Sequence, residues 1–362
     1  MPKSIITIVG ARPQFVKAAT VSRMIGSMGQ FEEKIVHTGQ HFDANMSDIF
    51  FSEMAIPKPH FQLAIHSLSH GAMTGRMLEQ IEALLVSEKP DAVMVYGDTN
   101  STLAGALAAT KLHIPLVHVE AGLRSFNMNM PEEINRIVTD RISNLLFCPT
   151  QTAVDNLRNE GFNNLSCKIE LAGDVMQDAA IFYAKMANQK PSLPEALGLK
   201  NIPYILATFH RQENTDVPEN LSAIVQALNH LNKEIKVVAP LHPRTKKIMA
   251  ERNLKAEFII IDPVGYFEMI QLLENTDLVL TDSGGLQKEA YFFNKFCITL
   301  REQTEWVELV QGGYNQLTGA NYNAILNATS EAMKKNFEKG HHYYGGGQAA
   351  SLITESLNQF LA

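Results

Sequence analysis

The chain is predicted to be an α/β protein made of two successive doubly wound halves. Its 362 residues exceed what one small core holds, so two domains of about 150 to 200 residues are expected. Short apolar runs alternate with longer helical patterns, the rhythm of a parallel sheet with crossover helices. That cycle completes once and then restarts near residue 169.

In the first half, strands are expected at residues 5–9, 34–37, 92–96, 116–119 and 145–148. The first ends in Gly10-Ala11-Arg12-Pro13, where the glycine closes the strand and the proline suits a first helical turn. Arg12 and Lys17 then oppose the positive end of that helix, a conflict that a bound phosphate or carboxylate relieves. A merely exposed basic turn is the competing reading. Asp98 follows the third strand, either pointing into a cleft or capping the next helix. Glu120 follows the fourth, and a helix start at Pro131 brings Glu132 and Glu133. Four carboxylates near consecutive strand ends raise the pKa of at least one member by like-charge repulsion, which makes a general acid or base. Adjacent residues do not share a helix face, so one of Glu132 and Glu133 is expected to point away. The alternative is a salt-bridged shell with Arg124, Arg136 and Arg141. His118-Val119-Glu120 resembles part of a metal site but lacks a third ligand, so no metal is expected.

The second cycle opens with a strand at 169–171, a helix after Gly173-Asp174-Val175, and a loop at 191–194. Strands follow at 204–208, 236–239, 258–261, 278–280 and 296–300. The strand at 204–208 runs into His210 and Arg211, candidates for donating to a leaving phosphate and for binding substrate or neighbouring carboxylates. His242 repeats the strand-end histidine, a pattern more often structural than functional. The most informative stretch is 278–290, where an apolar strand meets Ser283-Gly284-Gly285 and a helix beginning near Leu286. Two residues without a Cβ, a serine hydroxyl donor and a helix N-terminus suit a phosphate; Glu289 lies where a carboxylate reaches a ribose. An ordinary capped turn is the plain alternative. The last segment is expected to be a helix that packs back on the first domain. The expected boundaries are 1–170, 171–345 and 346–362, with the active site in a cleft between the halves.

A net charge of −7 with no basic run argues against nucleic acid and anionic membrane surfaces as partners. Cys148, Cys167 and Cys297 are few, odd in number and widely spaced, as in a cytoplasmic protein with reduced thiols. The N-terminal strand lacks the features of a signal peptide, and no apolar run approaches the length of a membrane span.

These motifs, in this order, resemble the UDP-N-acetylglucosamine 2-epimerase family. The matching segments are Val9-Gly10-Ala11-Arg12-Pro13, Gly97-Asp98-Thr99, Val119 to Ser125, Pro131-Glu132-Glu133-x-Asn135-Arg136, His210-Arg211-x-Glu213-Asn214 and Asp282 to Gln287. The resemblance implies two Rossmann-like domains arranged as in B-type glycosyltransferases, a homodimer, no cofactor, and C2 inversion of a UDP-N-acetylhexosamine through UDP elimination and re-addition. It implies proton chemistry at Asp98, Glu120 and Glu132, and diphosphate assistance from His210. Arg12, Lys17, Arg136, Arg211, His242, Ser283, Gly284, Gly285, Glu289 and Arg301 are its candidate substrate contacts. UDP-N-acetylglucosamine, in surface-polysaccharide synthesis, leads as substrate. A close second is UDP-2,3-diacetamido-2,3-dideoxyglucuronic acid, because Trp306 follows Thr304-Glu305 where the common form has Arg-Pro. Phe42-Asp43-Ala44 also follows Gly39-Gln40-His41, without the arginine of members activated by a second UDP-sugar. A hydrolysing epimerase, a glycosyltransferase and a non-catalytic UDP-sugar sensor are the other readings.

Overall fold

The computed structural model describes residues 2–40, 51, 54–340 and 342–362, which divide into two compact units. One comprises Met1–Ala179 with His342–Ala362, the other Ala180–His341. Each is built on one sheet in which every strand pair is parallel.

The first unit's sheet contains β1 (Lys3–Val9), β2 (Phe31–His37), β3 (Phe61–Gln62), β4 (Ala92–Tyr96), β5 (Leu116–Val119), β6 (Leu145–Cys148) and β7 (Lys168–Leu171). Their order across the sheet is β3-β2-β1-β4-β5-β6-β7. The second unit's sheet contains β8 (Tyr204–Thr208), β9 (Lys236–Pro240), β10 (Ile259–Ile261), β11 (Leu278–Thr281), β12 (Phe296–Thr299) and β13 (Asn315–Leu317), ordered β10-β9-β8-β11-β12-β13. In each sheet the strand order reverses beside the first strand, between β1 and β4 and between β8 and β11. Loops leaving two adjacent strands diverge there and open a crevice, which places ligand loops at those carboxyl ends.

Apolar runs without polar alternation become strands buried on both faces. Ile205, Ala207, Val237 and Leu278 pack beneath the helix Pro218–Leu231, while Leu206, Val238 and Val279 pack on the other face with Leu272 and Leu286. In the first unit Ile6, Ile8, Val93 and Val95 meet Met77 and Ile81 of the helix His70–Glu88. Each such side chain contributes about 1.5 to 3 kcal/mol by leaving water.

Two expectations need correction, at 169–171 and at 191–194. The strand at 169–171 does not open the second cycle; as β7 it pairs with β6 and completes the first sheet. The loop at 191–194 contains a helical turn, Leu193–Ala196, capped by Ser192. β3 and β13 escape the pattern because both are short strands at sheet edges, where burial imposes little apolar character. The terminal helix Ala349–Leu361 belongs to the first unit and packs on the helix Arg12–Met28. Ile353 and Leu357 are fully buried there, and the Asp178 carboxylate accepts the N–H groups of Ala349 and Ala350.

Candidate functional site

Eight of the candidate residues line two pockets, one at each reversal of strand order. In the first unit a cavity of about 220 Å³ lies against the ends of β1 and β4. Lys17, Asp98 and Glu132 line it, together with His70, Asn100 and Asn135.

Close approach of backbone and side chains shapes this pocket. A Cβ on Gly10 would sit 2.0 Å from Ser101 Oγ and 2.3 Å from Thr38 Oγ1, so only glycine fits where β1 ends. Gln14, 2% exposed, then locks the turn. Its Oε1 accepts the N–H groups of Gly10 (2.8 Å) and Ala11 (3.1 Å), while Nε2 donates to Tyr96 O (2.6 Å) and Thr102 Oγ1 (2.9 Å). Thr99, not Asp98, caps the helix Asn100–Lys111, so the capping alternative for Asp98 is excluded.

The four carboxylates do not form the mutually repelling cluster expected. Asp98 pairs with Arg136, and Glu120 pairs with Lys17. Glu133 turns away from the pocket, accepts the N–H groups of Ser125 and Phe126, and bonds Arg136 at 2.7 Å. Burial pushes the Glu133 carboxyl up, but those donors outweigh it and hold it below the usual range. Glu132 faces the pocket, and among the described residues no hydrogen bond or ion pair reaches it. Lys17 stays charged because its attraction to Glu120 overcomes the cost of burial, raising its pKa. The salt-bridged alternative is therefore partly realised, with Lys17 and Arg136 as the cations. Arg124 pairs instead with Asp140 and Glu160, and Arg141 lies over the Phe162 ring. Arg12 stands exposed at the helix start and does not line this cavity.

The second unit's pocket, about 370 Å³, is lined by His210, His242, Ser283, Gly285 and Glu289 over an apolar floor that includes Phe209, Val264 and Met269. The helix starts at Gly284, two residues earlier than expected, with Ser283 as its cap. Ser283 Oγ accepts the Leu286 N–H at 3.5 Å, so the hydroxyl proton is what it offers a ligand. Asp282, wholly buried, organises the β8 end. Its Oδ2 accepts the N–H groups of His210 (2.9 Å) and Arg211 (3.0 Å) and the Asn214 amide (3.0 Å). His210 Nδ1 lies 3.2 Å from Oδ1 without an aligned hydrogen bond. That neighbour raises the His210 pKa against the effect of burial, and Asp282 is held low in turn.

His242 caps the helix Pro243–Glu251, with Nδ1 accepting the Arg244 N–H, so only Nε2 is presented as a donor. The Arg211 side chain is 3.8 Å from Glu213 and does not line the pocket. Arg301 also lies outside its lining, bonded through both terminal nitrogens to Glu305 at 3.0 Å beside Gly284. Trp306 donates to Gly284 O at 2.8 Å, and Lys288 lies over its ring.

Sequence reasoning did not single out Gln14, His70, Asn100, Asp282 or Glu305. Gln14 and Asp282 stand inside segments already recognised, where a buried polar residue between ligand loops was the available signal. The departure at His41 to Met46 lies outside the described residues. Among the described residues no cluster suited to a metal is found, the three cysteines are free, and no helix is long and apolar enough to cross a membrane.

Comparison with known proteins adds a functional context to this geometry. The family model for UDP-N-acetylglucosamine 2-epimerase matches residues 23–358. A Pseudomonas aeruginosa protein named UDP-2,3-diacetamido-2,3-dideoxy-D-glucuronate 2-epimerase is 57% identical over 98% of this chain and 99% of its own. A UDP-N-acetylglucosamine 2-epimerase of Methanococcus maripaludis is 44% identical over 96% of each chain. The crystal structure of Methanocaldococcus jannaschii UDP-GlcNAc 2-epimerase in complex with UDP-GlcNAc and UDP superimposes with a TM-score of 0.81. It is 41% identical, covering 99% of this chain and 100% of that one.

Proposed function

Because the chain belongs to the UDP-N-acetylglucosamine 2-epimerase family, and so is an enzyme that inverts C2 of a UDP-sugar, we propose UDP-2,3-diacetamido-2,3-dideoxyglucuronic acid as its substrate. The observation that carries this choice is 57% identity across almost the whole chain to the Pseudomonas relative of that name. UDP-N-acetylglucosamine, the lead from sequence alone, is the second reading, favoured by the 44% identical relative and the M. jannaschii structure.

The proposed reaction removes the C2 proton as the C1–O bond to UDP breaks, leaving a C1–C2 double bond. UDP then returns to C1, and C2 takes a proton on the opposite face. Substrate and product are isomers, so no oxidant, reductant or cofactor enters the balance. A weakly acidic C–H requires a positioned base, and a departing diphosphate requires cationic and N–H donors. In the first unit Asp98 and Glu132 face one cavity, with Glu120 held at its edge by Lys17. We assign the proton transfers to these carboxylates. The second unit's pocket is assigned to UDP: Ser283 and the helix start at Gly284 and Gly285 for phosphate, Glu289 for ribose, and the apolar floor for the base. His210, its pKa raised by its proximity to Asp282, assists the departing diphosphate. Reduced, largely buried thiols fit a cytoplasmic enzyme, and the family supports a homodimer, which sedimentation tests.

Proton NMR of the purified protein in deuterated water, with each sugar in turn, tests the proposal. Turnover of the uronate with deuterium at C2 is expected. Turnover of UDP-N-acetylglucosamine alone selects the second reading, free UDP with released sugar means hydrolysis, and binding without turnover of either means a sensor.

A further inference from the structure

We propose that Asp140, bonded through His118 to the loop of Asp98 and directly to the loop of Glu120, is the positioning residue that sets these two carboxylates in register for proton transfer. The proposal rests on the assignment of those two carboxylates to the chemistry. Neither Asp140 nor His118 lines the cavity, and both are wholly buried.

His118 lies in β5 and bridges two elements. Nδ1 is 2.7 Å from Asp140 Oδ1, on the helix Pro131–Ile142, and Nε2 is 2.7 Å from the carbonyl oxygen of Gly97. A carbonyl only accepts, and so does an ionised carboxylate. Nε2 therefore donates to the Gly97 carbonyl, and Nδ1 donates in turn to an ionised Asp140. The Gly97 carbonyl so fixed belongs to the peptide that leads into Asp98. Gly97 has φ +61°, in the left-handed region that glycine enters without steric cost.

The other oxygen of Asp140 organises the loop after β5. Oδ2 accepts the Gly122 N–H at 3.1 Å and an Arg124 guanidinium N–H at 2.7 Å, and Arg124 is clamped from the far side by Glu160 at 2.7 and 2.8 Å. Glu120, two residues before Gly122, has φ +73°, which a residue with a side chain adopts only where its surroundings enforce it. The enforcing contacts are the N–H groups of Glu120 and Ala121, both donating to Phe147 O at 3.0 Å, and the Asp140 anchor that follows. One buried carboxylate thus holds both strand-end loops. The same helix supplies Asn135 and Arg136, which bond the Asp98 carbonyl and carboxylate. Every polar atom of the Asp140 side chain is thereby hydrogen-bonded, which a buried carboxylate requires.

Asp140→Asn separates positioning from mere stability. Its oxygen still accepts from Gly122 and Arg124, but its amide donates toward His118 Nδ1 and turns the ring into a neutral tautomer. Relative to the unaltered enzyme, kcat is expected to fall by at least about tenfold with KM within about twofold, because loop register changes while UDP contacts do not. A kcat per folded molecule unchanged, with only thermal stability reduced, overturns the proposal. Nitrogen-15 NMR of the free protein, with His118 assigned from His118→Gln, supplies a readout independent of turnover. Protons on both ring nitrogens, and a shifted Asp98 amide in Asp140→Asn, are expected; one neutral tautomer in the unaltered protein, or an unmoved Asp98 amide, overturns it. If the unaltered protein turns over neither sugar, the functional reading fails, and the NMR result still decides whether Asp140 positions the Asp98 loop.

Discussion

At the scale of single residues, the first pocket depends on how each carboxylate is partnered. Asp98 is held by Arg136 and Asn135 without being a cap, so Asp98→Asn should keep UDP affinity, measured by calorimetry, and lose turnover in the NMR assay. Retained turnover would sink its catalytic assignment. Gly10 admits no Cβ, so Gly10→Ala should cost about 1 to 3 kcal/mol of stability, read as a lowered urea midpoint. The His210–Asp282 contact makes a pH prediction. His210 has a raised folded pKa, so its contribution is complete below the unfolded value of 6.5 and fades as pH rises through the folded one. Asp282 has a lowered pKa, so its contribution is present above 3.8 and is lost as pH falls through the folded value. The pair therefore stabilises most between those limits, and as pH rises above 6.5 urea midpoints should fall by more in the unaltered protein than in His210→Asn. Equal falls would remove the linkage. Residue types were legible in the sequence, but partners were not: Lys17 and Glu120 are separated by 103 positions, and nothing local marks them as a pair.

At the scale of elements, each pocket begins where a strand turns into a capped helix. The Ser283 hydroxyl serves both the helix and the proposed phosphate, so Ser283→Ala should weaken UDP binding and cost about 1 kcal/mol of stability. Unchanged UDP affinity would undermine the phosphate assignment. Thr99→Ala removes a comparable cap with no proposed ligand, and should lower stability while leaving UDP affinity alone. The central strands β4, β5 and β8 were readable because both faces are buried and the apolar run is unbroken. β3 and β13 were not readable, since an edge strand is defined by backbone pairing with its neighbour and leaves little mark on side-chain choice.

At the scale of the whole molecule, the chain leaves its first unit near Ala179 and returns to it at His342. The terminal helix buries Ile353 and Leu357 completely, so Leu357→Ala should cost about 2 to 5 kcal/mol and make the first unit the earlier target of limited proteolysis. Cleavage confined to residues 180–341 would contradict that placement. The sequence by itself determined the α/β class, the two parallel sheets and the strand-end turns that line the two pockets, because buried strands, helix caps and Ser-Gly-Gly turns are short-range consequences of side-chain chemistry. Only the tertiary structure decided that β7 closes the first sheet, that Glu133 turns away from the pocket while Glu132 lines it, and that Asp140 bonds one strand end through His118 and the other directly. Those outcomes depend on which distant groups meet once the sheets form, and pairing energies between residues far apart in the chain leave no local pattern to read.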